Sequence, residues 1–393
     1  MEQVEILIAG GGVAGLAAAA RLGADGHEVM VVDPAPAVLP ETRADLRTAA
    51  LLQPAIRTLE RAGAWERVKA SGAPIRSMRL IDAGGRERRP RVTADFTGYE
   101  AGHEFFGWNI PNRAARETLL AHLGSMPNVL LCHGMAVTDY VPRLDAAFCR
   151  LSDGSTVRAK LVIAADGRNS TLRQLVGIKA RRWSYGQKAL ISAVTHPNPH
   201  HGGATEIYRT GGPLVLVPMP DHEGQPRSSI VWLMPGPEAV RLHGLDAGAL
   251  GTELTAATMG LYGPLRITME RAIWPIIGQA AQRLVAERLV LIAEAAHVVP
   301  PIGAQGLNMS LADIESLATL IEGKPDPGER AALDAHQRRQ LPEMLARIAG
   351  IDALNRAART EFQPFRDIRA AGIAAISRIP PLRRLAMRAG MGD

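Results

Sequence analysis

The chain alternates between short apolar runs and segments in which apolar and polar positions trade places. Val4 to Ala9 is a short apolar run suited to a strand buried on both faces. Val13 to Ala24 is rich in Ala and Leu and reads as a helix, and Glu28 to Asp33 (EVMVVD) reads as a second parallel strand. Residues 1–34 thus form one βαβ unit. A polar, Arg-bearing stretch follows from Glu41 to Arg47. Between about Ile75 and Phe106 short alternating segments are broken by turn signals such as Asp82-Ala83-Gly84-Gly85, the pattern of antiparallel strands in a second layer. A helix is predicted over Asn112–Leu123, strands near Val129–Leu131 and Phe148–Leu151, and a buried strand over Val157–Ala165 that ends at Asp166-Gly167. From Ala189 to Thr268 the chain is strand-like again (LVLVPMP, SSIVWLMP), as expected of a mostly antiparallel sheet that could wall a cavity. Leu289–Ala293 is one more buried strand, Leu307–Ile321 a helix, and the remainder from Glu329 is helical.

Composition narrows the class. The 393 residues, 47% hydrophobic and 21% charged, fit one large or two interlocked domains. A net charge of +6 favours anionic cofactors or an anionic lipid surface only weakly, and no aromatic-rich basic patch marks a nucleic-acid partner. Cys132 and Cys149 have no metal-ligand spacing, so neither a disulfide framework nor a metal site is expected, and a reducing cytoplasm is. The apolar opening from Ile6 to Ala20 is interrupted by Gly10, Gly11, Gly12 and Gly15 and preceded by Glu2 and Glu5, unlike a signal peptide. No apolar run is long enough to predict a transmembrane helix. Near the C-terminus, Arg366, Arg369, Arg378, Arg383, Arg384 and Arg388 stand amid Ile, Leu and Met. This stretch reads equally as a face resting on an anionic membrane, peripheral to its inner side, or as a basic helix with its arginines in solvent.

Gly10-Gly11-Gly12-Val13-Ala14-Gly15 fits G-x-G-x-x-G between strand and helix. Its first glycine permits a tight turn, its second lets backbone approach a pyrophosphate, and its third lets helix and strand pack closely. Asp33 ends the next strand, where a carboxylate can accept hydrogen bonds from an adenosine ribose. This motif leaves NAD and FAD both open. Asp166-Gly167, with Arg168 and Arg173 after it, ends the strand at Ala165; by itself it is a turn. The third stretch runs from Arg288 through Ala293-Glu294-Ala295-Ala296-His297 to Pro300-Pro301-Ile302-Gly303-Ala304-Gln305-Gly306-Leu307-Asn308. Here a buried strand ends in a carboxylate, crosses a Pro/Gly loop and enters a helix, presenting backbone N–H groups to an electron-rich ligand.

These three motifs in this order resemble the class A flavin monooxygenases, the group containing para-hydroxybenzoate hydroxylase, and within it the ubiquinone-biosynthesis hydroxylases. RADLRTAAL at Arg43–Leu51, the Asn112-Arg113 helix start, Arg271–Ile276 and the tail from Asp352 extend the resemblance over essentially the whole chain. It implies an α/β fold, with a Rossmann-like FAD-binding domain (1–70, 107–180, 284–330) interleaved with a mostly antiparallel substrate domain (71–106, 181–283) and a C-terminal helical region (331–393). It implies FAD, NAD(P)H as reductant, O2 as co-substrate, and transfer of oxygen from a flavin C4a-hydroperoxide to an aromatic ring, polyprenylated in the ubiquinone-synthesis subgroup. Cofactor contacts are expected from Gly10, Gly12, Val13, Ala14, Gly15, Asp33, Arg43, Arg113, Val137, Asp166, Gly167, Glu294, Gln305, Gly306, Leu307 and Asn308. Arg47, Pro301, Gly303 and Ala304 are expected at the reacting end. His297 reads as a packing and hydrogen-bonding residue rather than a base.

Two departures stand out. The family's usual Gly-Asp before Ala-Ala-His is Ala293-Glu294 here, and its Gly-Gln-Gly is Ala304-Gln305-Gly306. The extra methylene of Glu294 must be retracted by about 1 Å. Losing one charge-assisted hydrogen bond would cost about 1.5–3 kcal/mol, or roughly one to two decades of FAD affinity. The leading expectation is therefore a ring hydroxylase of a polyprenyl phenol or quinol. The alternatives are a hydroxylase of a small soluble phenol, a flavin-deficient scaffold in a biosynthetic complex, and an NAD-only dehydrogenase, which would leave both later motifs unexplained.

Overall fold

A computed structural model of the protein describes residues 1–38, 40, 45–85 and 89–391. The fold is mixed α/β in two principal layers. In the first sheet the strands Leu289–Leu291, Thr156–Ala164, Glu2–Ala9, Val29–Asp33 and Val129–His133 lie side by side and parallel. Ile6, Leu7 and Ile8, like Leu161, Val162 and Ile163, are fully buried, as consecutive apolar residues of a parallel strand covered on both faces are. The polar Glu2, Gln3 and Glu5, and Arg158 and Lys160, sit nearer the starts of these strands, where burial is incomplete. The helices Val13–Ala24 and Asn112–Leu123 occupy the spans expected of them. An antiparallel hairpin, Val137–Pro142 and Ala147–Leu151, joins the first half of the Thr156–Ala164 strand.

The second sheet has nine strands among the described residues and is mostly antiparallel. Its order is His297–Val298, Ala272–Ala281, Ala180–Thr195, Gln225–Pro235, Gly212–His222, Gly203–Arg209, Ser77–Asp82, Val92–Thr97, with Arg266–Ile267 on the Ala180–Thr195 strand. One face carries Leu190, Val194, Ile207, Leu214, Leu216 and Ile230 into a core closed by Leu242, Leu250 and Leu254. Those leucines sit on the helices Gly236–His243 and Ala247–Ala257. The sequence expectation of strand throughout residues 189–268 is corrected here. Pro237 pre-sets the first helical turn. The Asp246 carboxylate caps the second helix by accepting from the Ala249 N–H at 2.8 Å. Leu250 and Leu254 then recur at helical spacing.

The other face of this sheet looks toward the first layer and the C-terminal helices. A three-stranded sheet (Thr48–Leu52, Gly107–Pro111, Ala73–Ile75) connects the layers, and the Thr48 and Ser229 hydroxyls meet across the junction at 3.1 Å. The chain ends in the helices Arg330–Arg359, Gln363–Arg378 and Pro380–Met391. No helix among the described residues is long and apolar enough to cross a membrane. Both cysteines are free, and burial pushes the Cys149 thiol up to about 12, so it stays a protonated core residue.

Candidate functional site

Three strand ends meet at one edge of the parallel sheet. Ala9 is in register with Ala164, and Ala164 with Leu291, so the chain leaves the sheet at three adjacent points. These are carboxyl ends of parallel strands, where doubly wound sheets bind ligands. The Ala165 N–H donates to Ala9 O at 2.8 Å and the Ile292 N–H to Ala164 O at 3.0 Å, which fixes the three exits together.

The glycine-rich turn is shaped from both sides. A methyl group on Gly10 would stand 2.2 Å from Ala165 O, and one on Gly15 would stand 1.9 Å from Gly10 O. Neither position tolerates a side chain. Gly12 has nothing within 4 Å of a would-be Cβ. The helix starting at Val13 has no side-chain cap, so its first N–H groups, including those of Val13 and Ala14, lack partners within the helix. Asp33 braces the turn by accepting from the Gly11 N–H, and from the Ala35 N–H at 2.7 Å. Its carboxylate keeps lone pairs for further donors. The segment before Val137 approaches the same place, with the Met135 N–H donating to Asp33 O at 3.1 Å. Val137 itself is buried in the core.

Arg116 braces the turn from the opposite side. Its guanidinium donates to Gly11 O at 3.1 Å, Ala37 O at 2.8 Å and Pro36 O at 3.1 Å. Sequence reasoning selected Arg113 and missed Arg116. Arg113 lies half-exposed and pairs with Glu117 at 2.8 Å. The available signal was helical spacing, since Arg116 falls one turn after Asn112 and beside Ala115 and Leu119, all on the inward side. Arg43 lies outside the described residues.

At the second exit, one Asp166 oxygen accepts from the Leu172 N–H at 3.1 Å, while the other is buried and has no partner among the described residues. Gly167 follows in the left-handed region, and Arg168 then turns toward the third exit. There the Glu294 carboxylate lies 3.6 Å from Arg47 and 3.5 Å from Arg168. Arg47 makes two hydrogen bonds to Asp45 at 2.8 Å, and Asp45 also accepts from Asn112 Nδ2 at 2.9 Å. Trp274, from the second sheet, lies under the Arg47 guanidinium with its ring centroid at 5.4 Å. Burial alone would lower the Arg47 pKa, but Asp45 and Glu294 outweigh it and raise it. Burial likewise pulls the Asp45 carboxyl up, and Arg47 with Asn112 holds it below its ordinary value.

The loop after His297 joins this edge to the second sheet. Ile302 is 1% exposed and packs among Tyr185, Ala189, Ile191, Leu233 and Ile276, whereas Pro301, Gly303 and Gly306 stand exposed. Gly303 and Ala304 adopt successive left-handed conformations, with φ of 63° and 58°, and Ala293 has φ of 54°. The helix Gln305–Ile321 then starts without a side-chain cap. Asn308 secures the loop, donating to Ala304 O at 2.6 Å and Ala50 O at 2.8 Å and accepting from the Leu52 N–H at 2.8 Å. Gln305 turns back on Gly303 O at 2.9 Å. Leu307 and Val13 line one small apolar void, which sets the two uncapped helix starts next to each other. His297 is buried and bonded to Asp313 at 2.8 Å, away from any ligand-facing position.

The assembly suits an anionic dinucleotide. Two helix N-termini present free N–H groups, open space lies over Gly12 and Gly306, and the orphaned Asp166 oxygen can accept a hydroxyl.

Comparison with known proteins agrees. A family model described as "FAD binding domain" matches residues 3–344. The ubiquinone hydroxylase UbiL of Rhodospirillum rubrum is 34% identical, covering 99% of this chain and 89% of its own length. The 3-demethoxyubiquinol 3-hydroxylase of Escherichia coli is 26% identical, covering 100% of this chain and 99% of its own. Among solved structures, p-nitrophenol 4-monooxygenase PnpA from Pseudomonas putida DLL-E4 superposes with a TM-score of 0.81 at 20% identity, over 100% of this chain and 99% of that one.

Proposed function

We propose, from the premise that the chain belongs to the FAD-binding domain family of flavin-dependent monooxygenases, that it hydroxylates the ring of a polyprenylated phenol or quinol intermediate of ubiquinone synthesis. NAD(P)H and O2 are consumed, one oxygen atom entering the ring and the other leaving as water. The observation that carries the reading is the loop around Ile302, which leaves the dinucleotide edge and buries its tip in the apolar face of the second sheet. A ring held against that face would lie beside the same loop.

FAD, when bound, supplies electron transfer from NAD(P)H and delivery of the oxygen atom. The chain's own residues do the rest. Backbone N–H groups at Gly12, Val13 and Ala14 would hold the pyrophosphate, with Asp33 and the Val137 strand at the adenosine end. The free Asp166 oxygen and Glu294 would accept hydroxyls of the linker. Gly303, Ala304 and the N–H groups from Gln305 to Asn308 would edge the flavin, and Arg47 would stand at its reacting side. Ala189, Ile191, Val231 and Leu233 exclude water from the face where the substrate ring would rest. The proposal assigns residues 1–70, 107–180 and 284–330 to FAD, 71–106 and 181–283 to the substrate, and 331–393 to a helical cover.

The test begins with the visible spectrum of protein purified without added cofactor, repeated with excess FAD. NAD(P)H oxidation is then followed with a polyprenylated phenol and with soluble phenols, scoring hydroxylated product. Product from the prenylated substrate supports the proposal. Protein that never takes up FAD refutes it, and product from soluble phenols alone replaces the substrate class.

A further inference from the structure

The helices Gln363–Arg378 and Pro380–Met391 pack on the edge of the second sheet through Ala370, Ile373 and Met387. Their inward arginines are all committed. Arg369 binds Asp82 at 2.7 Å, Arg366 binds Thr210 at 2.7 Å, and Arg383 binds Glu100 at 2.7 Å. The outward side has different chemistry. Phe362, Phe365 and Ile368 are 61%, 58% and 65% exposed, and Leu382 and Leu385 are 41% and 65% exposed. The i, i+3 spacings of 365/368 and 382/385 put each pair on one side of its helix. Arg378, Arg384 and Arg388, on the same two helices, are exposed and make no hydrogen bond or ion pair among the described residues. Asp367, the acidic residue of these two helices, is already paired with Arg91 at 2.5 Å.

The fold therefore uses its inward arginines as clamps and leaves the outward ones, with their large apolar neighbours, uncommitted. A solvated face would not need the phenylalanines, and a face made for a second copy would set three unpaired guanidiniums against their counterparts with only Glu361, beside Phe362, to offset them. Apolar side chains flanked by free cations match the boundary between acyl chains and anionic headgroups.

We infer that this face docks on an anionic lipid bilayer, with Phe362, Phe365, Ile368, Leu382 and Leu385 at the acyl boundary and Arg378, Arg384 and Arg388 on the lipid phosphates. The inference deepens the function proposed above and rests on it for its purpose. Beneath the helices, Ile373 and Met387 pack with Phe96, Phe106 and Tyr208, next to Met78, Leu80 and Val217 on the sheet face assigned to substrate. Lipid docked there stands at the end of that face, where a polyprenyl tail would enter.

Binding to vesicles tests this without any substrate. Full-length protein should sediment with vesicles of phosphatidylcholine and phosphatidylglycerol, and at least about tenfold less with phosphatidylcholine alone, since each arginine near the surface contributes on the order of 1 kcal/mol. The Phe365→Ser/Ile368→Ser double variant and the Arg384→Gln/Arg388→Gln double variant should each lose about tenfold in binding while keeping helical content and melting temperature. Binding should weaken as salt is raised. Wild-type protein that binds neither vesicle, or variants that fold and bind like wild type, would overturn the inference. So would a dimer by light scattering that Phe365→Ser/Ile368→Ser dissolves, because a second copy would then cover the face. Failure to hydroxylate any phenol would count against the proposed function and leave the vesicle result standing on its own.

Discussion

Asp82 offers a stringent test of how the C-terminal helices are held. Its carboxylate is fully buried. One oxygen accepts from Arg91 Nε at 2.7 Å and the Gly84 N–H at 3.1 Å, and the other from Arg369 Nε at 2.7 Å. Arg369 also donates to Ala358 O at 2.9 Å, and Arg91 to Arg366 O at 2.9 Å. One charge thus ties the Ser77–Asp82 strand to the end of the long helix and to the helix after it. Asp82→Asn keeps the shape, removes the charge and turns an amide N–H₂ toward a guanidinium. Breaking a buried pair while its partners remain costs about 3–5 kcal/mol. The buried apolar side chains docking the last two helices are Ala370, Ile373 and Met387, together contributing roughly 4–6 kcal/mol. Because the two magnitudes are comparable, the loss should appear as local undocking before global unfolding. Hydrogen exchange should accelerate about a hundredfold or more across residues 363–388, as 3 kcal/mol implies, while peptides from Ile6–Ala24 stay protected. Trypsin should cut first at Arg378, Arg384 and Arg388. Unchanged protection across 363–388, or an even loss throughout the molecule, would refute the reasoning.

Other substitutions probe the site itself. Arg116→Gln should release the Gly11, Pro36 and Ala37 carbonyls and weaken FAD binding by about one to two decades, read by fluorescence titration; unchanged affinity would mean that Asp33 alone holds the turn. Ala293→Gly should relieve a left-handed alanine, and the gain of about 1 kcal/mol, net of the extra chain entropy, would show as a higher urea midpoint. A loss of stability there would contradict the assigned backbone. Glu206, buried on the second sheet with its carboxyl pushed up to about 7 by burial, predicts a pH dependence. The unfolded chain ionises near 4.5 and the folded one near 7, so this group's contribution is fully present below 4.5 and is lost as pH rises through 7. Glu206→Gln should flatten that slope in denaturation curves taken from pH 4.5 to 8, and parallel curves would show that the carboxyl ionises freely.

The parts of this molecule legible in its sequence are those whose signals are local. A glycine-rich turn in register with a strand, a helix and a terminal acid can be read directly, because each element constrains its neighbour within a few residues. The helices Gly236–His243 and Ala247–Ala257 were obscured because their buried leucines merge with apolar runs of the adjoining strands. The Asp45, Arg47, Arg168, Glu294 and Trp274 cluster gathers residues from two strand exits, the segment leading into the Thr48–Leu52 strand and the second sheet, and no spacing along the chain announces it. The substitution of Glu for Asp at 294 looked like a defect in a hydroxyl-binding carboxylate. The fold supplies two arginines facing it, which the residue type alone could not reveal.

The order of strands in the first sheet also sets a timetable for the nascent chain. Glu2–Ala9 pairs with Thr156–Ala164, and the third exit waits for Leu289–Leu291. At about 5–20 residues per second, translation from Asp33 to Glu294 takes roughly 13–50 s. For about the first half of that interval the glycine-rich turn exists without Asp166, and the edge of the first strand that will take Thr156–Ala164 is unpaired; Glu294 arrives only at its end. A chain cut short before residue 292 would therefore carry a recognisable nucleotide motif and no complete site. Cofactor uptake becomes a report that synthesis has passed that point, and chaperone demand should peak before it.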